Sequence, residues 1–452
     1  MQGKDIKFCD FRRNFRIFID KYSDFRQNLT MIIEFSTKNF RSFKELATLS
    51  LEAESLKTGK DGLISTEFKM DLLPAIGIFG HNASGKSNLI KALAYMQWAM
   101  LNSDYLNQPT TKSPLLQPFL LNIESSKEPS FFQIFLWDPE SKTEYRYGFE
   151  INSERVVSEW LETSTKVKKN RRRRMIFLRK GQEFPEVDDS AKNSIAHLVN
   201  NVRPTALALT VFAQFADPIA SQVIKLINRP NFMIFDGGSV DPMGYALQQY
   251  HEKPELAFKV LKLLKKLDLS IQDLKVIREP FTEAHLKIIP NELKSLFNQP
   301  SDLFRAVTLH KMYGSLEKNH HVEFDFNNQE SFGTRRLFVL MTLLVQILDI
   351  GGIFVLDELG SSIHPFMSKE IISLFQNHDT NPKGAQLIFC SHETYLLSNQ
   401  VGLRQDQVWF TDKNAQEETV LRPLLEYNIR SECEFEKNYR QGRFGAVPVI
   451  WS

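Results

Sequence analysis

The chain has 452 residues, enough for one large domain carrying an insertion or for two domains. With 42% hydrophobic and 24% charged residues it has a globular composition, and its net charge of +2 excludes a chain-wide pull toward nucleic acid, leaving only a local patch. Three scattered cysteines (Cys9, Cys390, Cys433) argue against a disulfide framework or a zinc cluster and fit a reducing cytoplasmic setting, while the longest apolar run, Leu337–Leu348, is too short for a bilayer.

Residues 1–30 lack the continuous apolar core of a secretory signal and read as an extension ahead of the fold, with Met31 as a candidate start. Ile32, Ile33 and Phe35, then Leu46–Leu51, predict paired strands around the turn-like stretch Thr37–Phe43. Pro74–Phe79 predicts a short buried strand, and Ser87–Ala94 shows helical spacing, so the two enclose a strand–loop–helix unit. Ser130–Ile151 predicts a hairpin. Val156–Lys166 and Met175–Arg179 predict two further strands on either side of a basic tip. Residues 190–310 read as mostly helical, most clearly at Glu255–Leu267. His321–Phe326 predicts a strand, followed by a helix over 334–349, a buried strand over 353–356, a helix over about 365–377 and a strand Gln386–Cys390. The pattern is an α/β core split in two, with one lobe over 31–150, a second over 316–452, and a mixed β and helical insertion over 151–315.

The chemistry sits where strands end. Gly80-His-Asn-Ala-Ser-Gly-Lys86-Ser87 fits G-x-x-x-x-G-K-[ST] in full. Its glycines let backbone N–H groups turn inward on phosphate oxygens, and the following helix aims its positive end at the same point. Lys86 would reach the β- and γ-phosphates of ATP and the Ser87 hydroxyl would hold Mg²⁺. Gly352–Glu358 reads as a buried strand ending in Asp357 and Glu358. There Asp357 can hold Mg²⁺ and Glu358 can orient and polarise a water. By itself such an acidic pair could equally cap the next helix. Ser331-Phe-Gly333 opens the long apolar helix, as an anion site or as a plain N-cap. His392 follows the apolar strand that ends in Ser391, in reach of a γ-phosphate or in a structural role. Lys166–Arg174 packs seven cations into nine residues, a contact for nucleic acid, a solvated hairpin tip, or a contact for an acidic partner.

In this order the motifs resemble the ABC-type ATPases of the SMC/RecF/OLD branch, and among them AAA-type P-loop ATPases found in bacterial restriction and phage-defence loci. The resemblance is carried by Asn39-Phe-Arg-Ser-Phe43, the phosphate loop extended to Asn88, Glu330-Ser-Phe-Gly-Thr334, Leu356-Asp-Glu358, Ile363-His-Pro365 and Ser391-His392, with Tyr439–Pro448 similar to the tail of that group. It adds Asn82, Ser84 and Asn88 to the nucleotide contacts, with Gly80, Gly85, Lys86 and Ser87. It makes Ser331 and Gly333 a signature that meets the γ-phosphate held by another protomer, and His392 a switch histidine. Ser361 and Ser362 would line the dimer-facing loop, and Gln117 is a candidate Q-loop glutamine and Mg²⁺ contact. The implied protein is a cytoplasmic ATPase that pairs as an ATP-sandwich homodimer, or a larger oligomer, and works with a separate nuclease or toxin. Two other readings are a RecF-like DNA-maintenance ATPase and a transporter subunit. The signature lacks the Gly-Gly-Gln of transporters, and the stretch after His392 has no Asp-x-Asp for a built-in nuclease centre.

Overall fold

The structure is a computed structural model and describes residues 29–56, 62–68, 70–103, 116–167, 170–228, 230–235, 242–266, 270–280, 303–313, 320–360, 363–427 and 435–445. The 1–28 extension, Ser361, Ser362, Lys168, Lys169 and the tail beyond Gly445 lie outside the described residues. These residues fall into two compact units, one within 29–236 and 350–445, the other within 242–349.

The larger unit is built on two sheets. One has six strands in the order Phe232–Phe235, Ile353–Leu356, Gln386–Ser391, Ala75–Phe79, Val408–Lys413, Thr419–Pro423. The first five run parallel and the last antiparallel. Parallel strands covered on both faces need unbroken apolar sequence, and Ala75–Phe79, Ile353–Leu356 and Gln386–Ser391 are buried at every position. That continuity is what made these strands readable from sequence.

The second sheet has seven antiparallel strands, in the order Glu183–Val187, Asn170–Lys180, Val156–Val167, Thr143–Ile151, Ser130–Asp138, Met31–Lys38, Ala47–Ser50. The helix Lys86–Asn102 buries Leu89, Ile90, Leu93, Met96 and Met100 in one cluster with side chains from both sheets. Burying each such side chain contributes about 1.5–3 kcal/mol, so this helix is a principal link between the layers. Its Gln97 also donates to Ile227 O at 2.7 Å and Phe232 O at 2.8 Å, joining a helix end to the outermost parallel strand.

Three expectations are corrected here. The boundary at residue 150 cuts a continuous hairpin, because Thr143–Ile151 pairs with Val156–Val167 along its whole length. The first part of the expected insertion therefore belongs to the same sheet as residues 31–50. Arg171–Arg174 stand within the strand Asn170–Lys180 and are no turn. Glu183–Val187 pairs only with the far half of that strand, from Phe177 onward, so the arginines occupy an open edge, where charge discourages stray strand pairing. Finally, residues 190–310 include the strands Phe232–Phe235, Ile271–Glu279 and Leu303–Lys311 as well as helices. Ile271–Glu279 buries Ile271 and Leu274, three residues apart, and that spacing imitates a helix.

The smaller unit holds the helices Met243–Glu252 and Pro254–Lys266, an antiparallel sheet of Ile271–Glu279, Leu303–Lys311 and His321–Asp325, and the helix Phe332–Ile350. Phe338 on that last helix meets Tyr250 and Phe326, with ring centroids 5.5 and 5.2 Å apart. Lys259 Nζ donates to both carboxylate oxygens of Asp349 at 2.7 Å.

Candidate functional site

Because the five core strands run parallel, their carboxyl ends share one edge, the place where α/β sheets collect ligands. Phe79 runs there into the phosphate loop, Leu356 into Asp357 and Ser391 into His392. The His392 strand lies between the other two.

Residues 80–85 wrap the loop and Gly85 ends it, with φ of +113°. A Cβ at Gly85 would stand 2.2 Å from Thr419 Oγ1, so only glycine fits. The helix that follows has no side-chain cap and no acidic residue in its first turn, which leaves its N-terminal N–H groups for an anion. Lys86 is 8% exposed, and its Nζ donates to Gly80 O at 2.7 Å and His81 O at 2.8 Å. Burial pulls this ammonium below its usual range, against the opposing attraction of Asp357 and Glu358. A phosphate is the kind of partner that would favour its charged form.

The Asp357 side chain is buried beside Ser87, and its Oδ1 accepts from Glu358 N–H at 3.1 Å. Burial pushes its carboxyl up, while Ser87 pulls it back down. The structure thus brings together the two residues expected to hold Mg²⁺. A hydroxyl and one carboxylate are oxygen donors that suit this hard cation when phosphates and water complete its shell. Glu358 is exposed and has φ of +57°, an uncommon conformation for a side chain of this size, of the kind that gathers at active sites.

The other expected residues are placed as follows. Ser84 is buried, with Oγ 2.6 Å from Thr411 Oγ1. Asn82 is exposed at the loop tip, and its carbonyl lies 2.6 Å from His81 Nδ1. Asn88 Nδ2 donates to Ser42 Oγ at 2.7 Å, which explains one residue of the Asn39–Phe43 motif. Asn39 of that motif donates to Ser125 O and Glu128 O and accepts from Phe119 N–H. His392 is exposed beside Ser391. The Gln117 side chain is exposed, and its carbonyl accepts from Arg41 N–H at 2.7 Å; among the described residues it shares no hydrogen bond with Ser87 or Asp357. Ser331 and Gly333 lie in the smaller unit. There Ser331 Oγ accepts from Thr334 N–H at 3.0 Å as an N-cap. The preceding Glu330 carboxylate accepts from Thr308 Oγ1 at 2.6 Å and lies 2.7 Å from His310 Nε2. In the basic strand, Arg171 pairs with Glu144 and Arg174 with Asp188, while Arg172 and Arg173 are exposed.

Several neighbours of the site carry no motif. Thr411, Thr419 and Asp412 brace the loop from the Val408–Pro423 hairpin: Thr419 Oγ1 donates to Ser84 O at 2.9 Å, and Asp412 Oδ1 lies 3.4 Å from His81 Nε2. Cys390 is fully buried near Lys86 and Asp357, and burial pushes its thiol well up, which keeps it neutral. Glu393 was also missed, although it adjoins His392 in sequence.

The strand order, the phosphate loop and the Asp-Glu strand end define an α/β P-loop ATPase fold of the AAA type. The chain belongs to the family described as "AAA domain, putative AbiEii toxin, Type IV TA system", whose profile matches residues 76–206 and 229–398, more than half of its length. No curated protein matches it. Among solved structures it is similar to an SMC head bound to the C-terminal winged-helix domain of ScpA, at 11% identity over 87% of this chain and 98% of that one, with a TM-score of 0.44. The SMC head of Pyrococcus yayanosii with a coiled coil and joint gives 10% identity, 92% and 100% coverage and a TM-score of 0.43. The SMC head of Thermotoga maritima gives 13% identity, 87% and 98% coverage and a TM-score of 0.36. Among the described residues no helix is long and apolar enough to cross a membrane.

Proposed function

We propose that this chain binds and hydrolyses ATP with Mg²⁺ and acts as a nucleotide-driven switch, closing as a homodimer around two ATP molecules. The supporting observation is the meeting of Ser87 with the buried Asp357 at the mouth of the phosphate loop. Loop N–H groups and the uncapped helix end bind phosphate oxygens, and Lys86 supplies the cation at the β- and γ-positions. Ser87 and Asp357 hold the metal, whose chemistry is to neutralise charge on the phosphate oxygens. Glu358 accepts the hydrogen bond that orients and polarises the attacking water. His392, at the end of the intervening strand, faces the terminal phosphate. Ser331 and Gly333 complete the partner's site, so turnover is coupled to assembly.

The family description supports a toxin–antitoxin or defence context. The protein would act there in the cytoplasm, and because no Asp-x-Asp follows His392, a nuclease activity would sit on a separate chain. A nucleic-acid contact at Lys166–Arg174 would rest mainly on the exposed Arg172 and Arg173, because Arg171 and Arg174 are engaged with acids. Lys86→Ala removes the loop's cation, and phosphate release from Mg-ATP is expected to fall at least about a hundredfold. Turnover at the wild-type rate would overturn the assignment.

A further inference from the structure

The turn carrying Asp357 and Glu358 is gripped along its length by the segment carrying His392. Leu359 N–H donates to Cys390 O at 2.8 Å and Ser391 Oγ donates to Leu359 O at 2.7 Å, while within the His392 segment Glu393 N–H donates to that same Ser391 Oγ at 3.1 Å. The last grip is made by a carboxylate. Gly360 has φ of +109°, and a Cβ there would meet Glu393 Cδ and Oε1 at 2.4 Å and Oε2 at 2.8 Å. Its three nearest atoms all belong to that one carboxyl group. Glycine is therefore required twice at this position, by its backbone and by Glu393. Glu393 Oε2 is buried with no hydrogen-bond partner among the described residues. Burial pushes the carboxyl up, while His392 on its own segment and His364 at the head of the next helix pull it down. An apolar side chain would fill the same space without the cost of desolvating a carboxylate, so packing alone does not account for a glutamate here.

We propose that Glu393 is a positioning residue for hydrolysis: seated on Gly360, it locks the turn bearing Glu358 to the segment bearing the switch histidine. This rests on the reading of Glu358 as the water-orienting group. Glu358 is held in a left-handed conformation, and the grip on Leu359 and Gly360 keeps it there.

The test uses the full chain and four variants, Glu393→Ala, Glu393→Gln, Gly360→Ala and the Gly360→Ala/Glu393→Ala double. Small misplacements at a reacting centre are costly, so Glu393→Ala is expected to lower kcat about tenfold. KM and the Kd of a fluorescent ATP analogue should stay within about twofold, because the phosphate loop is untouched. Glu393→Gln keeps the volume seated on Gly360 and should recover most of that loss. Gly360→Ala should lower kcat as well, and should cost less in the Glu393→Ala background, since the three atoms nearest its Cβ all belong to that carboxyl and only the backbone strain would remain from these two causes. An unchanged kcat in Glu393→Ala would overturn the inference. So would a loss shared by kcat, nucleotide affinity and melting temperature, or a double variant whose losses simply add. If Glu358→Gln hydrolyses ATP normally, the reading of the site itself fails, whatever Glu393 does.

Discussion

Gly85 closes the phosphate loop with a positive φ and with Thr419 in the place of a side chain. Gly85→Ala therefore meets two obstacles, backbone strain and a collision, and is expected to destabilise the fold by about 1–3 kcal/mol. Denaturant unfolding measures this, and a variant as stable as wild type would show that the loop conformation adapts. The residues of this loop were legible because the phosphate cradle needs a fixed local spelling. Their braces were not. Thr411 and Thr419 reach Ser84 from more than 300 positions away, and a threonine in a hairpin gives no local sign of such a partner. Glu393 carries no motif of its own, and only the space above Gly360 reveals what the carboxylate touches.

At the scale of elements, legibility followed burial. The hairpin Ser130–Ile151 and the strands Ile353–Leu356 and Gln386–Ser391 fell where continuous or alternating apolar residues placed them. The long helix starts at Phe332, just after Ser331, and that capping serine marks its beginning. The basic run misled, because four arginines look like a solvated turn, whereas they lie within a strand, two of them held by Glu144 and Asp188, without breaking the pairing with Val156–Val167. The signature helix yields its own prediction. Ser331→Arg deletes the N-cap and sets a bulky cation where a second protomer's phosphate is proposed to dock. Loss of the cap alone costs about 1 kcal/mol, which leaves the helix in place. Steady-state hydrolysis should collapse while titration with a fluorescent ATP analogue still shows binding to the chain's own loop. Normal turnover by a monomer would reject the shared site.

For the whole molecule the proposed switch makes a hydrodynamic prediction. Glu358→Gln keeps shape but removes the basic oxygen, so Mg-ATP should bind and persist. Size-exclusion chromatography with Mg-ATP should then show a stable dimer that the wild type forms only transiently, and a persistently monomeric variant would count against the sandwich. The junction between the two units has a consequence of its own. The chain leaves the parallel sheet after Phe235 and re-enters at Ile353, and these two strands are hydrogen-bonded neighbours, with Phe232 opposite Ile353 and Phe235 opposite Leu356. The strands run parallel, so the chain leaves at the carboxyl end of one and re-enters at the amino end of its neighbour, about 10 Å back along the sheet. A segment inserted between them can lengthen or shorten over evolutionary time without shifting the register of the strands that lead into the phosphate loop and Asp357. The ATP-handling sheet can therefore be inherited as a fixed chassis, while the parts of the intervening segment away from Ser331 and Gly333 are free to follow a changing partner or trigger.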